Sequence, residues 1–215
     1  MTNHHPEYEQ LVDYSAGNLH PSVTLAVSVH LEYCAECRYE VRRLEALGGA
    51  ILETLETESV NDALLDSIFV RIDTAERITA AQVELSIPSS TIPSSVRKMF
   101  NYEVEHLVWR YHGPRVQSAA LLGYEGVKAS LVRIAMGAKI PVHDHRGLEY
   151  TVVLEGRFSD DTGLYQLGDF VIRRPGESHS PTASSDHDCL CLAVLEAPLR
   201  FRNPLYKVVN LLMPL

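Results

Sequence analysis

The sequence has no apolar run near the ~18 residues that a membrane-spanning helix requires. Its amino terminus, Met1-Thr2-Asn3-His4-His5-Pro6-Glu7, lacks the charged-then-apolar pattern of an export signal, so a cytoplasmic protein is expected. Basic residues are in deficit, 19 Lys+Arg against 28 Asp+Glu, for a net charge of −9. Without a basic face to neutralise phosphates, direct nucleic-acid binding is not expected. Cysteines number only four, as Cys34/Cys37 and Cys189/Cys191. Reducing cytosol disfavours structural disulfides, so such close pairs point to metal or redox chemistry.

What is present is ordinary globular composition, 46% hydrophobic and 22% charged over 215 residues, with room for one large domain or two small ones. The acid is unevenly placed. Residues 1–85 hold fifteen acids against five bases, a net of −10, and the remainder is close to neutral at +1. An acidic first part joined to a neutral second part is therefore expected.

Helical spacing of apolar residues runs from Glu7 to about Ile78. A first helix ends at Gly17, a natural stop, and a second opens at Pro21-Ser22 and runs towards Cys34. A third spans about Ala35 to Leu55, with Val41, Leu44, Leu47, Ile51, Leu52 and Leu55 on one stripe. The fourth starts near Ser59 and carries Val60, Leu64, Leu65, Ile68, Phe69 and Ile72. That stripe fits either a bundle core or a partner-binding helix. Residues 86–95, Ser-Ile-Pro-Ser-Ser-Thr-Ile-Pro-Ser-Ser, read as a linker. The division is then 1–85 helical, 86–98 linker and 99–215 strand-rich.

In the last part, short strands are expected over Glu105–Tyr111, Val127–Ala135, Glu149–Leu154, Leu164–Gln166, Asp169–Arg173 and Cys189–Leu195. Glycines and prolines punctuate them, as in a sandwich or barrel. Trp109, alternating with Leu107 and Tyr111, reads as barrel packing.

Two constellations carry chemistry. His30-Leu31-Glu32-Tyr33-Cys34-Ala35-Glu36-Cys37 is H-x3-C-x2-C at a helix–turn–helix junction, and His30 lies one helical turn before Cys34. Two thiolates and an imidazole suit tetrahedral zinc. A redox pair or unliganded core cysteines are the alternatives. A closed site needs a fourth ligand, for which His4 and His5 are nearest. In the strand part, Gly137-x5-His143-x-His145-x3-Glu149-x6-Gly156 places two imidazoles on one face of an extended chain and returns a carboxylate on the next strand. A later histidine must supply a third imidazole from a different strand, and such a set holds zinc, iron, manganese or nickel alike.

Cys189 and Cys191, two apart on a strand, face one side at roughly 6–7 Å. They are buried strand cysteines or a thiol sensor, and thus possible redox thiols. His187 reads as a surface residue at a strand end. His20, His106 and His112 have no partner spacing. Arg146 is an exposed hairpin charge or an influence on the cup.

The H-x3-C-x2-C module in a short acidic helical region, with His5-Pro6-Glu7, Leu11, Tyr14, Ala16-Gly17 and Leu19 before it, resembles the ChrR-type zinc-binding anti-sigma factors. The second constellation matches the first cupin motif. The second cupin motif is met in part by Gly168 through His179, with Pro175 one position late and Ala183 in place of the final Asn. The order of helical module, linker and cupin is similar to that family over essentially the whole chain.

The resemblance implies an α+β two-domain protein, an all-α four-helix zinc-binding domain followed by an all-β cupin (double-stranded β-helix) barrel. It implies His5 as the fourth ligand beside His30, Cys34 and Cys37, with His4 as fallback, and a cupin metal on His143, His145, Glu149 and His179. Two zinc ions per chain are expected.

The resemblance further implies a regulator that sequesters an extracytoplasmic-function sigma factor through residues 1–85, and not an enzyme. The cupin would sense singlet oxygen or peroxide and trigger release. Val60, Leu64, Leu65, Ile68, Phe69 and Ile72 are the expected hydrophobic anchor on the sigma factor. The competing reading is a cupin dioxygenase or isomerase with an accessory zinc module, and a third is a metal-storage protein.

Overall fold

The computed structural model of the chain describes residues 2–74, 92–99 and 107–201. Five helices occur among them: α1 (Tyr8–Ser15), α2 (Pro21–Tyr33), α3 (Ala35–Leu52), α4 (Asp62–Thr74) and α5 (Ser94–Met99). The strands are β1 (Trp109–Tyr111), β2 (Val116–Tyr124), β3 (Val127–Ile134), β4 (His143–Asp144), β5 (Glu149–Glu155) and β6 (Arg157–Ser159). They continue as β7 (Leu164–Gln166), β8 (Phe170–Arg173), β9 (Ser178–His179), β10 (Thr182–Ala183), β11 (Cys189–Leu195) and β12 (Arg200–Phe201). His106 and linker residues 86–91 lie outside the described residues.

Local chemistry explains the helix ends. Glu7 and Gln10 form a capping box at the start of α1. Gly17 follows the helix at φ 72°, a left-handed conformation that costs glycine nothing. At α2, Pro21 occupies the first turn and the His20 ring nitrogen Nδ1 accepts from Ser22 N at 3.2 Å. Helix α2 is buried on several sides, at Val23, Leu25, Ala26, Val27, Val29 and His30. A helix apolar around most of its girth belongs inside a core.

The strands are antiparallel throughout. Six form one sheet in the order β1-β2-β3-β11-β5-β8, and two three-stranded sheets follow β10-β6-β7 and β12-β4-β9. One buried cluster joins Leu25 and Val29 of α2 with Leu131, Val152, Leu192 and Val194 of the large sheet. A second, formed by Val153, Phe158, Tyr165, Val171, Cys189 and Cys191 among others, lies within the strand-rich part.

Two expectations need correction. Residues 94–98, the end of the expected linker, lie in helix α5, and Val96 is wholly buried in the core shared with α2. Pro93 has no backbone N–H to donate, and the serines after it are good helix starters. The Glu32 carboxylate accepts from Ser94 N at 3.0 Å and Ser95 N at 2.7 Å. The packing units also differ from a division at residue 85. One compact unit comprises residues 1–45 together with 91–215, and the other comprises residues 46–90, so the division falls inside α3. Because α2 shares a core with the large sheet, the first helices and the strands belong to one packing unit.

In the unit 46–90 the expected apolar stripes are on the surface. Leu47, Ile51, Leu52 and Leu55 are exposed, as are Val60, Leu64, Leu65, Ile68, Phe69 and Ile72. Among the described residues no helix is long and apolar enough to cross a membrane.

Candidate metal centres

The first centre forms where α2 gives way to α3. Cys34 is the extended cap residue of α2, at φ −107° and ψ 108°, and the chain re-enters helix at Ala35. That single extended residue places His30, Cys34 and Cys37 around one point. The arm before α1 adds His5, whose Nδ1 is 3.4 Å from both sulfurs. His30 Nε2 is 3.3 Å from Cys37 Sγ. All four ligand atoms lie within 4.8 Å of one another. His4 is elsewhere, with Nδ1 3.2 Å from Asp169 Oδ2 and its ring 4.7 Å from that of Tyr165.

The donor chemistry fits a cation. His30 Nδ1 donates to the Gly168 carbonyl at 2.7 Å, which leaves Nε2 unprotonated towards the sulfurs. Burial pushes the His30 pKa down to about 4 and keeps the ring neutral. Burial raises the Cys34 thiol, but hydrogen bonds from Thr2 and the Cys37 backbone N–H outweigh it and leave it below its ordinary range. Burial and the Cys34 sulfur together push Cys37 up to about 12. A cation between them would stabilise both adjacent sulfurs as thiolates.

The second centre lies inside the strand-rich part. His143 on β4 pairs in register with His179 on β9, and Glu149 opens β5 directly opposite Arg173 of β8. His143 Nε2 and His179 Nε2 are 2.9 Å apart, and Glu149 Oε2 is 3.4 Å from His145 Nε2 and 3.5 Å from His179 Nε2. All four residues are buried. Both ring nitrogens of His145, with Glu149 Oε2, are buried without a hydrogen-bond partner among the described residues. Of these, His145 Nε2 and Glu149 Oε2 face each other beside the other two imidazoles, which fits a cation, because burying them unpaired would cost several kcal/mol. His143 Nδ1 donates to the Pro141 carbonyl at 2.9 Å and so turns Nε2 inward. Burial pushes the His143 pKa down to about 4. For His179 burial acts in the same direction, but Glu149 and Asp160 outweigh it and hold the imidazole above its ordinary value.

Beyond the ligands the cup opens on a cavity of about 290 Å³, whose walls are largely apolar and include Val132, Phe158, Cys191 and Leu195. Cys191 and Cys189 are both free and buried, with sulfurs 3.6 Å apart, closer than a flat strand would hold them. The pairing of β11 with β5 slips between Leu190 and Cys191, a bulge that kinks the strand there. The hydrogen bond with Cys189 and burial raise the Cys191 thiol well above its ordinary range, so it is held as the thiol.

Other expectations resolve simply. His187 is exposed and 3.3 Å from Asp186, and Arg146 is exposed. His20 caps α2, and His112 hydrogen-bonds Ser118 at 2.5 Å while lining the cavity. Trp109 is half-buried against the core with the Arg133 guanidinium 5.7 Å from its ring centroid.

Sequence reasoning missed Asp160 and Arg173. Asp160 Oδ2 is 3.1 Å from His179 Nδ1, the correct placement to accept its proton and free Nε2 for a metal. Arg173 donates to Asp160 at 2.6 Å, Thr162 Oγ1 at 2.7 Å and Tyr165 Oη at 2.9 Å. Its Nε also lies 3.3 Å from His179 Nδ1, but that nitrogen cannot both accept from Arg173 and keep its proton. The nearer carboxylate prevails. Asp160 stands in an Asp-Asp-Thr stretch that reads as solvated surface, and the place of Arg173 opposite Glu149 emerges only from the strand register.

The family model described as the ChrR Cupin-like domain matches residues 97–198, a span that holds the whole second centre. Over 212 residues the chain is 34% identical to the anti-sigma-E factor ChrR of Cereibacter sphaeroides, covering 96% of each protein. A crystal structure of Rhodobacter sphaeroides SigE in complex with the anti-sigma ChrR matches it at a TM-score of 0.77 and 30% identity. That match covers 91% of this chain and 99% of the other. The strand-rich part is thus a cupin preceded by helices that hold a His/Cys cluster. With the likeness running through both parts, the chain belongs to the ChrR family of anti-sigma factors.

Proposed function

We propose that this chain is a cytoplasmic anti-sigma factor. It sequesters an extracytoplasmic-function sigma factor through residues 1–85 and releases it on an oxidative signal, singlet oxygen or a peroxide, sensed with the cupin part. The observation that carries this reading is apolar surface in the most acidic region. Val60, Leu64, Leu65, Ile68, Phe69 and Ile72 are 42–65% exposed, although residues 1–85 have a net charge of −10. An exposed apolar patch of this kind marks a protein interface. The surrounding acid steers a basic partner towards it and sets its orientation. A sigma factor is basic where it meets DNA and polymerase.

Zinc is the metal assigned to both centres, through His5, His30, Cys34 and Cys37 in one and His143, His145, Glu149 and His179 in the other. At the first, with four protein ligands, its binding free energy adds directly to the stability of the helical fold.

The test uses the full chain, because the first helices share a core with the sheet and deleting them would expose it. Co-expressed with its sigma factor, the chain is expected to form a 1:1 complex. Ile68→Asp or Phe69→Asp should weaken that complex by at least ~30-fold, as for a hot spot worth about 2 kcal/mol. Both positions are exposed, so the melting temperature of the free chain should not move. No complex, or unimpaired binding by both variants, would sink this reading.

A second reading has its own support. The cup is buried, metal-fitting and open to an apolar cavity, which is also how a cupin dioxygenase or isomerase is built. Two zinc ions per chain favour the regulator. One zinc and one iron, with turnover of a small molecule, favour the enzyme.

A further inference from the structure

The corner formed by strands β7 and β8, residues Leu164–Arg173, touches both centres. At its far end it serves the cup. Arg173 lies opposite Glu149 in the sheet and grips Asp160, which orients His179. Tyr165 Oη accepts from the same guanidinium at 2.9 Å. At the bend it serves the His/Cys cluster. The Gly168 carbonyl holds His30 Nδ1 at 2.7 Å. Gly168 sits at φ 84°, where an added Cβ would fall 2.6 Å from Tyr33 Cβ, so the bend is pressed directly against α2.

The arm that carries His5 is docked on this same corner. The wholly buried Asp169 accepts from Asn3 N at 2.7 Å and His4 N at 3.2 Å. Phe170 N donates to the His4 carbonyl at 2.9 Å. The His4 ring packs on Tyr165, and Glu7 pairs with Arg174. Residues 2–7 have no helix or strand of their own, so their position depends on these contacts.

We propose that the β7–β8 corner is a tie that positions ligands of both metal centres at once, so that the two sites fill cooperatively. The arm is the two-state element. Docked, it brings His5 to Cys34 and Cys37 and rests His4 on Tyr165, which braces Arg173, Asp160 and hence His179. Undocked, it removes His5 from one ligand set and the brace from the other. Loading at either centre therefore favours the docked arm and the completion of the other centre. Asp169 and Tyr165 are positioning residues in this scheme.

The inference rests on both ligand sets holding a metal, but not on the sigma factor, so the test uses the isolated full chain. Metal-stripped protein is titrated with cobalt(II), whose thiolate charge-transfer band reports only the Cys34/Cys37 centre. Emptying the cup with His145→Ala should weaken cobalt binding at the thiolate centre about tenfold, within the 5–150-fold usual for coupled sites. Reciprocity requires Cys34→Ser to weaken the cup by the same factor. In an Asp169→Asn background the effect of His145→Ala should vanish. Tyr165→Phe, which keeps the ring and removes the hydroxyl, should reduce it and serves if Asp169→Asn does not fold. Unequal factors in the two directions would indicate general misfolding and count against the tie. Two metals bound by the unaltered chain, with cobalt affinity at the thiolate centre unchanged in His145→Ala, would overturn the coupling alone. Failure to bind two metals would overturn the reading of the centres as well.

Discussion

The two centres are assembled by opposite means. The His/Cys cluster draws three of its four ligands from eight consecutive residues at one helix junction, and only His5 arrives from a distance. The cup draws on β4, β5, β9 and the turn after β4, brought together by strand pairing across long stretches of chain. The first offers two sulfurs and two imidazoles, a closed set that suits a structural metal. The second offers three imidazoles and one carboxylate beside an apolar cavity of about 290 Å³, with room for a further ligand. A locally encoded, soft and closed site serves to hold a fold. A globally encoded, harder site beside a cavity has room for something small to approach it.

The largest effect that separates them comes from deleting one ligand in each. Cys34→Ser should cut metal affinity at the first centre by more than the ~10–100-fold that outer-shell partners are worth. It should also abolish capture of the sigma factor. His143→Ala should empty the cup yet leave capture intact. Structural zinc sites bind with about 10–16 kcal/mol, so a tenfold loss passed on through the β7–β8 corner still leaves the first centre filled. Metal analysis and pull-down on both variants check this. Capture lost equally in both would erase the distinction between a structural and a responsive centre.

Acid titration of the metal-stripped chain tests whether both ligand sets are preformed. Burial pushes His30 and His143 down to about 4, below the 6.5 of an open imidazole. Between those values the unfolded chain binds more protons than the folded one, so stability is full above pH 6.5 and falls as pH drops towards 4. Each imidazole is worth about 3 kcal/mol at most over that window. His179 opposes this in part, because its folded pKa is raised and its contribution is present below pH 6.5 and lost as pH rises. The net expectation is a falling melting temperature from pH 6.5 to 4.5. A flat profile would mean that the imidazoles reach these sites only with metal.

How far the centres were legible in advance follows from the same contrast. H-x3-C-x2-C and H-x-H-x3-E encode their geometry in local spacing, through one helical turn or the alternation of a strand, and the structure gathers those residues. Nothing in the spacing chose between His4 and His5. The family resemblance favoured His5, and the reason is visible only in three dimensions, where Asp169 takes His4. Asp160 and Arg173 were illegible because their role depends on strand register. The packing of α2 against the sheet was hidden likewise, since periodicity reveals that a face is apolar but not what covers it. Strand β2 escaped because Gln117, Ser118 and a register slip between Ala120 and Leu122 break its alternation.

A smaller perturbation asks whether the two regions melt together. Gly156 sits at φ 66°, and an added Cβ would fall 2.1 Å from the Asp188 carbonyl oxygen. Gly156→Ala should cost about 2–3 kcal/mol, from the left-handed backbone and the shift needed to relieve the clash. Trp109, the only tryptophan, reports the strands by fluorescence, and the cobalt–thiolate band reports the helix junction. Since α2 and the sheet share one core, both signals should shift to the same lower midpoint. Two separate transitions, with only the tryptophan signal moved, would restore independent domains.

The smallest effect concerns Glu32 on α2, whose carboxylate caps α5 through Ser94 N, Ser95 N and Ser95 Oγ. Burial raises this carboxyl, but the hydrogen bonds from Ser95 and Ser94 outweigh burial and hold it below its ordinary value. Its contribution is therefore present above pH 4.5 and lost as pH falls through the lower folded value. Glu32→Gln keeps one acceptor but loses the charge, and the group is largely open to solvent. The cost should be about 1 kcal/mol or less, the lower part of the range for a cap. Glu32 stands on the same helix as His30, two residues away, yet on the side that meets α5 rather than Gly168. The variant should thus lower the melting temperature slightly and leave cobalt affinity at both centres unchanged. If the thiolate centre weakens as well, α5 shares in positioning α2, and the first centre is less locally encoded than its spacing implies.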